Sequence, residues 1–123
     1  MGLDMYAYKT KAKLNSETDF SSMNVGSDEI MYWRKHPNLH GWMQGLYESK
    51  GGQSDIFNGN TVILDANDLD ILETAIENND LPQTSGFFFG QTDGSEKEGD
   101  LEFVAKARIA ISEGYSVYYS SWW

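Results

Sequence analysis

Leu3, Met5 and Ala7 alternate with Asp4, Tyr6 and Tyr8, so the chain opens on a period of two. That period predicts a first strand from Gly2 to Lys9. Residues 10–28 are polar, with Leu14, Phe20, Met23 and Val25 scattered through them, and read as a long loop. Glu29 to Arg34 turns apolar and aromatic through Ile30, Met31, Tyr32 and Trp33, a short strand leading into a helix. His36-Pro37 suits the helix start, because proline is tolerated at the first helical position. Leu39, Trp42, Met43, Leu46 and Tyr47 follow helical spacing, and Gly51-Gly52 ends the run. Gly41 and Gly45 lie inside it and weaken the helix by about 1 kcal/mol each relative to alanine. Another element packed closely on their face would account for both.

Asn60 to Leu64 predicts a short strand, and Asp65 or Asn67 can cap the helix that follows. Leu69, Leu72, Ala75 and Ile76 give that helix a core stripe. Leu81-Pro82 closes it and opens a segment in which Phe87, Phe88 and Phe89 stand between Gly86 and Gly90. In a β-conformation Phe87 and Phe89 point one way and Phe88 the other. Both faces then need cover, and at least two of the rings are expected in the core. After a polar stretch from Gln91 to Gly99, Asp100 to Gly114 predicts a third helix, with Leu101, Val104, Ala105, Ala107 and Ile111 inward. Tyr115 to Trp123 predicts a closing strand. The order strand, helix, strand, helix, strand, helix, strand points to one α+β domain over residues 1–123. Its sheet is small, mixed or mostly antiparallel, and packed with about three helices.

Charge divides the chain. Residues 1–50 carry six Lys/Arg and six Asp/Glu, whereas residues 51–123 carry three and thirteen, so the whole net charge of −10 sits in the second half. An acidic field repels phosphate backbones, which argues against nucleic acid as a partner. It serves as a solubility surface or, if gathered on one face, for docking a basic protein or mimicking nucleic acid. With no cysteine there is no disulfide framework and no thiolate metal site. No apolar run reaches the length of a membrane span. The first residues lack the basic-then-apolar layout of a signal peptide, and the cytoplasm is the expected compartment.

The candidate chemistry is sparse. His36 and His40, the two histidines, are four apart. On one helix face they could share a metal, but Pro37 stands where a zincin helix carries glutamate, so no metal or cofactor is expected. The structural alternative is a capping His36 and a hydrogen-bonded, partly buried His40. Tyr32-Trp33-Arg34-Lys35 concentrates aromatic and basic groups, suited to clamping an anion or stacking on a planar group. Asp4 is an acid in an apolar and aromatic strand, either a general acid or base or, as the structural alternative, an ion-pair partner of Arg34 beneath the sheet. Thr84-Ser85-Gly86 lacks a nucleophile elbow. Asp93-Gly94-Ser95-Glu96 is a turn that does not continue as a calcium loop. No phosphate-binding or dinucleotide fingerprint occurs.

Met1-Gly2-Leu3-Asp4-Met5-Tyr6, Tyr32-Trp33-Arg34-Lys35, His40 with Trp42, Leu81-Pro82 and Gly86-Phe87-Phe88-Phe89-Gly90 together resemble a family of small proteins common in bacteriophage genomes and environmental sequences. The likeness spans nearly the full chain, including Tyr118 to Trp122. It carries no established activity. It implies an accessory role in a phage or host-cytoplasm setting. Pro37, Gly41 and Gly45 depart from the more regular helix of such proteins. The reading favoured is a non-enzymatic, acidic protein-binding module for a host or phage protein. The alternative is a small-ligand domain or weak enzyme with a site around Asp4, Trp33, Arg34, His36 and His40. Trp122, in the closing strand, is a further candidate for partner contact or for pairing with a second copy.

Overall fold

The computed structural model describes residues 2–20, 26–86 and 89–123. Its elements are β1 (Asp4–Thr10), β2 (Ser27–Arg34), α1 (Pro37–Ser49), β3 (Thr61–Leu64), α2 (Ala66–Glu77), α3 (Lys97–Ser112) and β4 (Ser116–Trp122). The four strands form one antiparallel sheet in the order β2-β1-β4-β3. This is the α+β class read from the sequence, with a different order of elements. Glu29–Arg34 is not a short lead-in but most of a full strand, paired with β1 from Asp4↔Arg34 to Thr10↔Ser27. The ladder shifts between Ala7 and Tyr8, which leaves Ile30 as the extra residue of a bulge. The expected third strand at the phenylalanine run does not form among the described residues: Leu81–Gly86, Phe89 and Gly90 belong to no regular element. Phe89 is buried. Phe87 and Phe88 lie outside the described residues.

One face of the sheet carries the core. Leu3, Met5, Ala7, Trp33, Val62, Leu64, Val117 and Tyr119 meet Leu39, Met43, Tyr47, Leu69, Leu72, Phe103, Val104 and Ala107 from the helices in one cluster. Each fully buried leucine there contributes about 2 kcal/mol relative to exposure. The polar stretch after β1 is put to use at the sheet edge. Asp19 N donates to Thr61 O at 3.0 Å and Ile63 N donates to Glu17 O at 2.9 Å, so this segment covers the open side of β3. Phe20 then lies edge-on against Tyr118, 4.9 Å between centroids.

Local signals explain the helix ends. Pro37 opens α1. Asp65 caps α2 in a reciprocal box with Asp68, each carboxylate accepting the other's backbone N–H at 2.8 and 2.9 Å. Lys50 anchors that box, its ammonium 2.5 Å from Asp68 and 2.6 Å from Ile63 O. α3 starts three residues before the expected Asp100, and Gly114 at φ +91° turns the chain out of it. Arg108 clasps α3 to α2 through Glu73 and Asp70. Of the two glycines inside α1, only Gly41 is packed against among the described residues: a Cβ there would collide with the Thr84 hydroxyl, while the space over Gly45 is open.

Candidate functional site

The six residues singled out by sequence fall into three separate places. Asp4, Arg34 and Trp122 share the sheet face away from the helices. Strand alternation requires this, since Met5 and Ala7 take the core and leave Asp4, Tyr6 and Tyr8 on the other side. Register then sets Arg34 opposite Asp4 on one flank and Trp122 opposite it on the other, with Tyr6↔Tyr32 and Tyr8↔Tyr118 further along. The Asp4 carboxylate accepts the Tyr32 hydroxyl at 2.6 Å and Arg34 Nη1 at 2.8 Å. The Tyr32 hydroxyl, and after it Arg34, hold Asp4 below the usual carboxylate range. The pair expected beneath the sheet thus exists but lies on the open face, with side-chain exposures of 49% for Arg34 and 28% for Asp4. Solvent screens it there, and its share of folding stability is small.

Around that pair the tyrosine rings form a row, with centroid separations of 5.3 Å for Tyr6–Tyr32, 6.0 Å for Tyr6–Tyr8 and 5.2 Å for Tyr8–Tyr118. Phe20 covers the Tyr118 end. The other end is open: Tyr32 is 45% exposed and Trp122 67%. The last two tryptophans part here. Trp123 folds inward, its backbone exchanging hydrogen bonds with Asn58 and its indole N–H donating to Phe57 O. Trp122 projects outward beside Gly59.

Trp33 and His36 enter a buried relay instead. The Trp33 indole N–H donates to Asp100 Oδ1 at 3.0 Å, and His36 Nε2 donates to Asp100 Oδ2 at 2.7 Å. His36 Nδ1 meets the Thr92 hydroxyl at 2.9 Å, and Thr92 also accepts the Asn38 backbone N–H at 3.1 Å. The carboxylate oxygens of Asp100 only accept, so the Trp33 indole and His36 Nε2 each direct an N–H at it. Side-chain exposure of both His36 and Asp100 is 2%. His36 occupies the N-cap position of α1, as the sequence suggests, but its side chain makes no capping bond. It ties the entry of α1 to α3 and, through Asp100, to β2. The relay edges a cleft of about 200 Å³ lined also by Asn38, Leu81 and Lys97. Asp100 and Thr92 carry no motif in the sequence. The signal for Asp100 was its place on the apolar stripe with Phe103, Val104 and Ala107, where an acid needs a partner.

His40 lies apart from both, fully rather than partly buried. Its ring packs between Phe57 and Phe89, with Nδ1 2.7 Å from the Tyr119 hydroxyl. Its Nε2 has no partner among the described residues. Burial pushes its pKa down to about 4. The two histidines therefore address different surroundings, and among the described residues no three His, Asp or Glu side chains gather as a metal-binding set. No described helix is long and apolar enough to cross a membrane.

Fold and site together define a two-layer α+β domain that carries three helices on one face of an antiparallel sheet and an aromatic row on the other. No protein-family model, curated protein or solved structure matches the chain significantly.

Proposed function

We propose that this chain is a non-enzymatic accessory module that binds another protein through the open face of its sheet. The observation that carries the reading is the convergence of Tyr6, Tyr32, Arg34 and Trp122 around Asp4 on that face. Tyrosine, tryptophan and arginine dominate binding hot spots, because they bring large, stiff contact area with a polar handle. The Asp4 carboxylate orients both Tyr32 and Arg34 before any partner arrives, which lowers the ordering cost of association.

Charge supports a basic partner. The helices α2 and α3 with their caps, residues 65–80 and 96–113, hold eleven Asp/Glu against three Lys/Arg, a balance of −8. This acidity lies on the helical layer, opposite the open sheet face, so it steers a positive partner and disfavours nucleic acid at long range but makes no contact at the proposed interface. The resemblance to small phage proteins makes the partner a phage or host protein in the bacterial cytoplasm. A second copy meeting through Trp122 is the homomeric form of the same reading.

A small-ligand site is the second reading, favoured by the cleft beside His36, Thr92 and Asp100. Asp4 and Arg34 do not reach it, and His40 is enclosed elsewhere, so only Trp33 and His36 of the five residues first grouped for it remain.

Affinity capture from phage-infected bacterial lysate tests the principal reading. Tyr32→Ser/Trp122→Ser should stay folded, with a melting temperature lowered only by the loss of the Tyr32 contacts to Asp4 and Tyr6, and should lose a protein that the wild type retains. A capture profile identical for the two would refute it.

A further inference from the structure

On the helical side, away from the tyrosine row, a second surface stands independently of that reading. The residue that leads to it is Gly45. A glycine inside a helix weakens it and persists where something approaches closely. Thr84 explains Gly41 in this way, but nothing in the described chain lies within 4 Å of where a Gly45 Cβ would be. Gly45 instead forms part of the floor of a groove of about 360 Å³ between α1 and α2, with Trp42, Leu46, Ile71 and Pro82. Ile71, on the outer side of α2, is 53% exposed. It also lines the adjoining hollow, with Thr74, Ala75, Asp70 and Asp80.

The lining charges all have one sign. Asp68, Asp70 and Asp80 border the two hollows, and among the described residues no lysine or arginine does. Asp68 is matched by Lys50 and Asp70 by Arg108, whereas Asp80, like Glu48 one turn from Gly45, makes no ion pair among the described residues. We propose that this groove receives an amphipathic helix of another protein, with an apolar stripe against Trp42, Leu46 and Ile71 and basic residues along its flanks. Gly45 lets the two helix backbones come close, and Asp80 and Glu48, the acids left without an ion pair among the described residues, select the basic flank. The mode is helix-in-groove recognition.

The test uses fluorescence anisotropy with a labelled Leu/Lys amphipathic helix of about 18 residues, roughly five turns. Its controls are a peptide of the same composition scrambled to destroy the stripe and a Leu/Glu counterpart. The wild type should bind the Leu/Lys helix at least about tenfold more tightly than either control. At Gly45 the described chain leaves room for a Cβ, so Gly45→Phe should stay folded, as its melting curve would show, with its ring lying in the groove against Trp42, Leu46 and Ile71, and it should lose at least about tenfold in affinity. Gly45→Ala should melt a few degrees higher, because alanine favours the helix. No saturable binding, equal binding of the scrambled peptide, or undiminished binding by folded Gly45→Phe would each overturn the proposal. So would sedimentation showing a wild-type dimer that Gly45→Phe dissociates, which would make a second copy the occupant.

Discussion

Replacing Asp100 with leucine is expected to cost about 3–5 kcal/mol of folding stability, seen as a lower urea midpoint with an unchanged slope. The reason is what remains behind. Asp100 is the common acceptor for the Trp33 indole at 3.0 Å and His36 Nε2 at 2.7 Å, and all three side chains are buried. Without it two N–H donors stay out of water with nothing to receive them, and each orphan costs about 1–3 kcal/mol. Leucine has nearly the right volume, so cavity formation adds little. The double variant Asp100→Leu/His36→Phe should regain part of the loss, because one orphan is then removed with its partner. Thr92→Val should cost far less, as Thr92 lies at the partly exposed end of the relay. A loss under about 1 kcal/mol for Asp100→Leu would mean that the relay is incidental to the fold.

Acid is expected to destabilise the protein through His40, in a window set by its two pKa values. Folded, the imidazole is held down to about 4 by burial among Phe57, Phe89 and Tyr119. Unfolded, it titrates near its ordinary value of about 6.5. Below that value the unfolded chain takes up a proton that the folded chain refuses. The contribution is therefore fully present above about pH 6.5 and is lost as pH falls toward 4, at about 1.4 kcal/mol per pH unit and on the order of 3 kcal/mol in all. Other carboxylates titrate in the lower part of this window, so the comparison is with His40→Gln, which keeps a polar group near the Tyr119 hydroxyl. Urea unfolding from pH 7 to 4.5 should show a steeper fall for wild type than for the variant. Parallel curves would contradict the account.

Features set by neighbours in the chain were legible from the sequence. His36-Pro37 marks the start of α1 and Gly114 the end of α3, and the cap of α2 narrows to Asp65 or Asn67, of which Asp65 is the one used, because each acts within one turn of its own position. The partnership of Asp4 with Arg34 was legible because an acid among apolar residues calls for one. Its side of the sheet was misjudged, although the alternation of Leu3, Met5 and Ala7 with Asp4 already determined it. At the phenylalanine segment the described residues, Leu81–Gly86, Phe89 and Gly90, form no strand, because aromatic content suits a packed loop as well as a strand and propensity yields to tertiary context. The outward turn of Trp122 against the inward turn of Trp123 follows from strand alternation, which sets Trp123 on the side of Val117 and Tyr119 and Trp122 on the side of Tyr118. Asp100 with His36, 64 positions apart, arises only once the sheet has closed, and no local pattern encodes it.

The role of the open sheet face is tested most directly by site-specific photo-crosslinking. Benzoylphenylalanine is placed at position 32 and, in a separate protein, at exposed position 109 on α3, each then illuminated in phage-infected cells. The account predicts a discrete adduct from position 32 that vanishes when Trp122→Ser is added, and none of the same mass from position 109. An adduct from position 109 alone, or one from position 32 that ignores Trp122, would place the partner elsewhere on the molecule.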